Sequence, residues 1–274
     1  MRSLLYVPAD NDAMLAKAAS RGADALILDL EDGVAPSRKR LALDAALDFA
    51  RNAKAAGPAL WVRVNDGERG LSDIAAVAEA SPANAIAGVW LPKAEPGAWL
   101  QTALAALSAS GLRVGLLIES AAGIARVSQF PDLPRDSLVQ IGEADLTASL
   151  RIEGRDDQLL VLRTIVVAEW AARGLAAPLA PVSVSVGDVA AFTEECIRLK
   201  GWGFEGRACV HPMQVAAVNE VWGTSASDLA RAHMIVNEFE ANEAEGVGAY
   251  RGSDGTMVDR ATVRWAKSLI EGSS

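Results

Sequence analysis

Short apolar runs alternate along this chain with longer stretches in which apolar residues recur at helical spacing. Eight runs read as strands: Ser3–Val7, Ala25–Leu30, Leu60–Val64, Gly88–Leu91, Leu112–Ile118, Leu138–Ile141, Leu179–Val182 and Ala208–Val210. Between them, helical periodicity runs through Ser37–Ala56, Glu95–Ser110, Arg155–Arg173 and Val189–Lys200. Continuous apolar runs are buried on both faces, and their alternation with helices implies a parallel sheet. Eight such repeats in about 220 residues predict an α/β fold of the (β/α)8 TIM-barrel kind rather than an open doubly wound sheet. The seventh strand is the weakest, because Pro178 and Pro181 flank it and proline removes a ladder donor. The barrel pattern is complete near Gln214. Beyond it the chain continues as a polar-faced helix, Ser225–Glu245, then a Gly-rich link, Gly246–Gly255, and a helical segment, Val258–Glu271. The expected division is therefore a barrel, 1–222, and a C-terminal helical extension, 223–274, that either packs on its own barrel or reaches across to a neighbouring subunit's interface.

Two of the strand-like runs end in the same way. Leu112–Ile118 stops at Glu119, and Leu138–Ile141 leads into Gly142-Glu143-Ala144-Asp145. A carboxylate just past a buried strand faces the open end of a barrel. Two on neighbouring strands make a hard, oxygen-only site of the kind Mg²⁺ prefers, with positions left for water and substrate. The plain alternative is that Glu119 and Asp145 cap the helices that come after them. Other strand ends carry polar groups too. Asp29, Glu31 and Asp32 follow the second, Arg63 and Asn65 the third, Lys93 the fourth, and His211 the eighth. One mouth thus collects six carboxylates (Asp29, Glu31, Asp32, Glu119, Glu143, Asp145) and two cations, Arg63 and Lys93. Like charges at that density repel unless a metal or fixed cations offset them.

Composition narrows the class of function. At 51% hydrophobic and 22% charged, the 274 residues suffice for one large core. A net charge of −9 argues against nucleic acid or an anionic membrane as partner. No apolar run is long enough to cross a bilayer and no signal-type start is seen, so a cytoplasmic enzyme is expected. The two cysteines read as buried thiols, and with two histidines a histidine-based zinc site is not expected. Gly201-Trp-Gly203-Phe-Glu-Gly206 matches G-x-G-x-x-G but precedes a strand, the wrong side for a dinucleotide fingerprint. His211 reads as a structural residue ahead of a catalytic one.

Taken together, Arg2-Ser-Leu-Leu-Tyr-Val-Pro8, Asp29-Leu-Glu-Asp-Gly-Val34, Arg63-Val-Asn65, Leu91-Pro-Lys93, Ile118-Glu119, Gly142-Glu-Ala-Asp145, Gly203-Phe-Glu-Gly206, His211-Pro-Met-Gln214 and Asp254-Gly-Thr-Met-Val-Asp259 resemble the HpcH/HpaI aldolase/citrate lyase family, and within it the citrate lyase β-subunit type. The resemblance implies a Mg²⁺-dependent TIM barrel that cleaves or forms a C–C bond between an acyl thioester and a 2-oxo acid. The thioester would be of the citryl, malyl or citramalyl kind, carried on coenzyme A or an acyl carrier protein. By motif match Glu119 and Asp145 are the metal ligands and Arg63 contacts substrate oxygens. Asp259 is the acid/base residue, delivered from a neighbouring subunit of a homotrimer or hexamer, although it also suits an N-terminal helix acid. Asp29, Glu31, Asp32 and Lys93 are candidates to bind substrate, with salt bridges among them and Arg63 as the structural alternative. Pro181-Val-Ser-Val-Ser185 departs from the family's acidic stretch after the seventh strand, so the loop that receives the thioester differs. Two other functions fit the same pattern: a class II pyruvate aldolase without a thioester, and a non-catalytic barrel subunit.

Overall fold

The apolar runs become parallel strands: β1 (Ser3–Pro8), β2 (Ala25–Asp29), β3 (Ala59–Arg63), β4 (Gly88–Leu91), β5 (Arg113–Ile118), β6 (Leu138–Ile141) and β7 (Arg207–Cys209). They form one sheet in the order β6-β5-β4-β3-β2-β1-β7 in a computed structural model that describes residues 1–80 and 85–271. The gap between β6 and β7 is closed by the expected seventh strand, reduced to Leu179 and Ala180. Leu179 bridges Gln140 and Ala180 bridges Arg207, both in parallel sense. Leu179 N–H donates to Val139 O at 2.8 Å, and Ala180 N–H to Gly206 O at 2.8 Å. Pro178 and Pro181 have no N–H to extend that ladder. The Arg207 guanidinium stands in, its Nε donating to Pro181 O at 2.8 Å.

The barrel interior is filled by large side chains set against absent ones. Leu4, Ala25, Ile27, Trp61, Trp90, Leu179 and Ala208 form its core. Trp61 is in register with Gly88 on the next strand, and Trp90 with Gly115 on the one after. A Cβ at Gly115 would lie 2.6 Å from the Trp90 ring, and one at Gly88 would overlap the Trp61 ring. The glycines are therefore the space the indoles occupy. A separate, larger core lies outside the sheet, where Leu26, Leu28, Val62, Val89, Leu116 and Val139 meet the apolar faces of the surrounding helices.

Helix bounds follow their punctuation. The helix expected over Ser37–Ala56 is a 3₁₀ turn, Pro36–Arg38, and a helix ending at Arg51. The one expected from Glu95 begins at Ala98, after Pro96 and Gly97. The chain divides into two compact units, Met1–Trp222 and Gly223–Ser274. In the second, the helix Ala226–Ala244 is followed by an antiparallel hairpin, β8 (Ala249–Arg251) and β9 (Met257–Asp259), and by the helix Arg260–Glu271. The Gly-rich link is thus mostly a hairpin, and Val258 and Asp259, expected to be helical, are strand. Ala232, Ile235, Phe239, Val258, Val263 and Ala266 form this unit's core.

Candidate active site

Parallel register sets the first contact at the mouth. Asp29 and Arg63 are the last residues of β2 and β3 and pair directly. Their side chains point the same way and form a two-pronged bond, Nε to Oδ1 at 2.6 Å and Nη2 to Oδ2 at 2.7 Å. Asp29 also accepts the N–H groups of Glu31 and Gly33, both at 2.9 Å, which folds the loop after β2 back over the strand end. That fold brings Glu31 to Arg63 (Nη1–Oε2 3.1 Å) and to Lys93 (Nζ–Oε1 2.8 Å). Burial opposes the charge on Arg63. The Asp29 bonds and the Asp29 and Glu31 charges more than offset it, so its pKa rises. Burial likewise works against Glu31, but Lys93 and Arg63 hold its pKa below the usual carboxylate value. Asp32, desolvated and next to Glu31, is pushed up to about 6.

Glu119 stands apart from this network. It is 3% exposed, and its Oε1 accepts a main-chain donor, Lys93 N–H at 2.6 Å. Lys93 presents that N–H from a left-handed conformation, φ 49°, unusual for a residue with a side chain. Burial, then the charges of Glu31 and Asp145, raise Glu119 to about 8, against the opposing Lys93 hydrogen bond and Arg63 charge. It does not cap the short helix Ala121–Ala125, whose N-cap is Ser120. Asp145 sits in the first turn of the helix Glu143–Leu150 and lines the same cavity as Glu119. A Cβ at Gly142 would lie 2.6 Å from Glu119 Oε2, so that glycine leaves the carboxylate its place.

The cavity measures about 310 Å³ and takes in Tyr6, Asp29, Asp32, Arg63, Leu117, Glu119, Gln140, Glu143, Asp145, Val182 and Val210. Among the described residues no three of His, Cys, Asp and Glu converge as a complete metal set. Glu119 and Asp145 offer carboxylate oxygens, and among the described residues no cation pairs with the buried Glu119. That donor set suits a hard divalent ion that takes its remaining oxygens from water and substrate.

Several strand-end residues have other engagements. Glu143 lines the cavity, yet both its oxygens are taken by the buried Arg163, at 2.5 and 2.8 Å. His211 caps the helix Pro212–Val221, Nδ1 accepting Met213 N–H at 3.3 Å. Gln214 of the same box donates to Ser183 O at 2.8 Å, which ties down the Pro181–Ser185 segment. The two cysteines are buried thiols. Asp259 lies in the second unit. Its Oδ1 accepts from Ala261 and Thr262 N–H, each at 2.9 Å, and from the Thr262 hydroxyl at 3.0 Å. Those Thr262 bonds hold its pKa below the ordinary value. Tyr6, Gln140, Arg163 and Arg207 do not stand out in the sequence as site residues. The signal for Gln140 and Tyr6 is a polar side chain inside an apolar strand run. Arg207 carries a weaker one, a charge within a buried strand.

This chain matches the model of the family described as HpcH/HpaI aldolase/citrate lyase over residues 2–212. It is 30% identical over 280 residues to the citrate lyase subunit beta-like protein of Deinococcus radiodurans, covering 98% of this chain and 96% of that one. It is 31% identical over 300 residues to the L-malyl-CoA/beta-methylmalyl-CoA lyase of Rhodobacter capsulatus, covering 98% and 93%. Its fold is similar to the crystal structure of CitE from Mycobacterium tuberculosis in complex with magnesium, acetoacetate and coenzyme A. The TM-score is 0.75 at 28% identity, over 99% of this chain and 97% of that one.

Proposed function

The chain belongs to the HpcH/HpaI aldolase/citrate lyase family, and on that basis we propose that it is a Mg²⁺-dependent carbon–carbon lyase. It cleaves or forms a citryl-, malyl- or citramalyl-type thioester, with an acetyl thioester and a 2-oxo acid on the other side. The observation that carries this reading is the cavity lined by Glu119, Asp145 and the Arg63 guanidinium, with Glu119 buried and, among the described residues, in no ion pair.

Glu119 and Asp145 would hold the Mg²⁺, which when bound supplies Lewis acidity and a template for the 2-oxo acid's oxygens. Cleavage moves the β-hydroxyl proton to the ionised Asp259 carboxylate and breaks the adjacent C–C bond. The electron pair is left on the acetyl carbon as a thioester enolate. Arg63, held cationic and fixed by Asp29 and Glu31, stabilises the charge that develops on oxygen, an effect typically worth a few kcal/mol. Asp29 and Glu31 therefore act through Arg63, while Asp32 and the half-exposed Lys93 meet the substrate at the rim. Asp259 returns a proton to the acetyl carbon. We place this protein in the cytoplasm as a homo-oligomer, a trimer or hexamer, in which the Gly223–Ser274 unit brings Asp259 to a neighbour's barrel. The thioester carrier is coenzyme A or an acyl carrier protein.

The test is cleavage of citryl-CoA, malyl-CoA and citramalyl-CoA against a hydroxy-oxo-acid without a thioester, with and without Mg²⁺. Turnover of the thioesters alone, abolished by chelation, supports the reading. Turnover of the free hydroxy-oxo-acid alone would make the protein a pyruvate aldolase, and no turnover with no Mg²⁺ binding would make it a non-catalytic barrel. Among the described residues no helix is long and apolar enough to cross a membrane.

A further inference from the structure

Within a cavity rich in carboxylates, one neutral pair stands outside the ion-pair network. Tyr6 on β1 and Gln140 on β6 reach across the barrel interior, and the Tyr6 hydroxyl donates to Gln140 Oε1 at 3.2 Å. The Tyr6 ring is itself fixed, with the Arg63 guanidinium 5.0 Å from its centroid. An amide held through its oxygen turns its two N–H donors the other way. Gln140 is 1% exposed and lines the cavity, and among the described residues no acceptor meets its Nε2. The reversed amide would aim a lone-pair oxygen into a space walled by Glu119 and Asp145, which disfavours it.

Register gives the depth of this donor. Gln140 pairs with Leu117 and Ile141 with Ile118, so Glu119 lies two residues nearer the mouth. At about 3.3 Å per residue, Gln140 is roughly 6–7 Å below it. Leu117, Val182 and Val210, whose side chains offer no acceptor, line the same cavity.

We infer that Gln140, oriented by Tyr6, sets which 2-oxo acid this enzyme accepts, by requiring an acceptor oxygen on the substituent that reaches the cavity floor. The inference rests on the lyase reading above. A 2-oxo acid has a carboxylate, an oxo group and one further substituent. The first two are taken at the Glu119, Asp145 and Arg63 level, and the third points to the floor. A second carboxylate there accepts from Nε2, whereas a methyl group leaves a buried donor unpaired. Sites built around a hydrogen bond discriminate strongly against analogues that cannot make it. Tyr6 is a positioning residue in this scheme, acting only through the amide.

Calorimetric titration of the whole protein with oxaloacetate and with pyruvate, in Mg²⁺, tests this without any thioester. The unsubstituted protein binds oxaloacetate about tenfold or more tighter than pyruvate. Gln140→Met keeps the volume, removes the donor and lowers that ratio by about tenfold. Tyr6→Phe keeps the amide, frees its orientation and lowers the ratio less. General loss of structure would weaken both ligands together and leave the ratio alone. Equal binding of both acids by the unsubstituted protein, or an undiminished ratio in both variants, overturns the role of Gln140 while leaving the lyase reading intact. Binding of neither acid by the unsubstituted protein removes the lyase reading itself, and this inference with it.

Discussion

Glu119 is the residue whose chemistry is set most plainly by its surroundings. Its carboxyl is raised to about 8 first by burial and then by Glu31 and Asp145, from an ordinary value of 4.5. A carboxyl with a raised folded-state pKa binds its proton more tightly folded than unfolded. Its contribution to stability is therefore full below pH 4.5 and is lost as pH rises through 8. Without metal, the protein should lose stability across that window, which urea melts at stepped pH will read. Metal requires the ionised form, so apparent Mg²⁺ affinity should rise about tenfold per pH unit below 8 and level off above it. Glu119→Gln should remove both trends and lower kcat/KM by about 10²-fold or more. Arg63 makes a complementary case. Arg63→Lys keeps one charge but loses the fork that Asp29 and Glu31 hold, so kcat should fall by about 10²-fold with a smaller change in KM. A variant within twofold of the parent in steady-state assays would remove Arg63 from the chemistry.

Strands fix where these side chains stand, and the packing of the strands is tightly matched. Trp61 and Trp90 fill the interior only because Gly88 and Gly115 face them. Gly115→Ala should therefore cost about 1–3 kcal/mol through overpacking, measured as a lower denaturation midpoint at unchanged m. The same substitution on an open loop glycine such as Gly187, where nothing lies within 4 Å, should cost far less. The two-residue stave Leu179–Ala180 is the element most dependent on its neighbours. It has little ladder of its own between two prolines, and Arg207 from β7 satisfies Pro181 O.

In the whole molecule, the two units each keep a core of their own. If Asp259 serves a neighbouring barrel, activity is shared between chains. A Glu119→Gln subunit and an Asp259→Asn subunit, each inactive alone, should recover a fraction of activity when co-assembled. Mixed oligomers that stay inactive would remove the shared site. Asp259→Ala should also lower the thermal midpoint of its own unit, because the side chain caps the last helix. Mg²⁺ at 100 times its Kd should stabilise the barrel by about 2.7 kcal/mol, and a chelator should reverse the shift.

Local pattern along the chain was enough to establish the strand–helix alternation and, with it, which acids stand at the mouth. Strand periodicity is local, and the residue after a buried run must emerge at its end. This is why Asp29, Glu31, Asp32, Arg63, Lys93, Glu119 and Asp145 were legible as one group. The same pattern could not assign their partners. That Glu143 is neutralised by Arg163, twenty residues on, while Glu119 takes a main-chain N–H depends on which helix packs over which strand. The opposition of Tyr6 and Gln140, 134 positions apart, exists only because the sheet closes on itself. The hairpin at Ala249–Asp259 was likewise hidden, because glycines mark a turn without saying what the chain does on either side. Contacts between residues far apart in sequence are fixed by the shape of the closed barrel, and no local pattern encodes that shape.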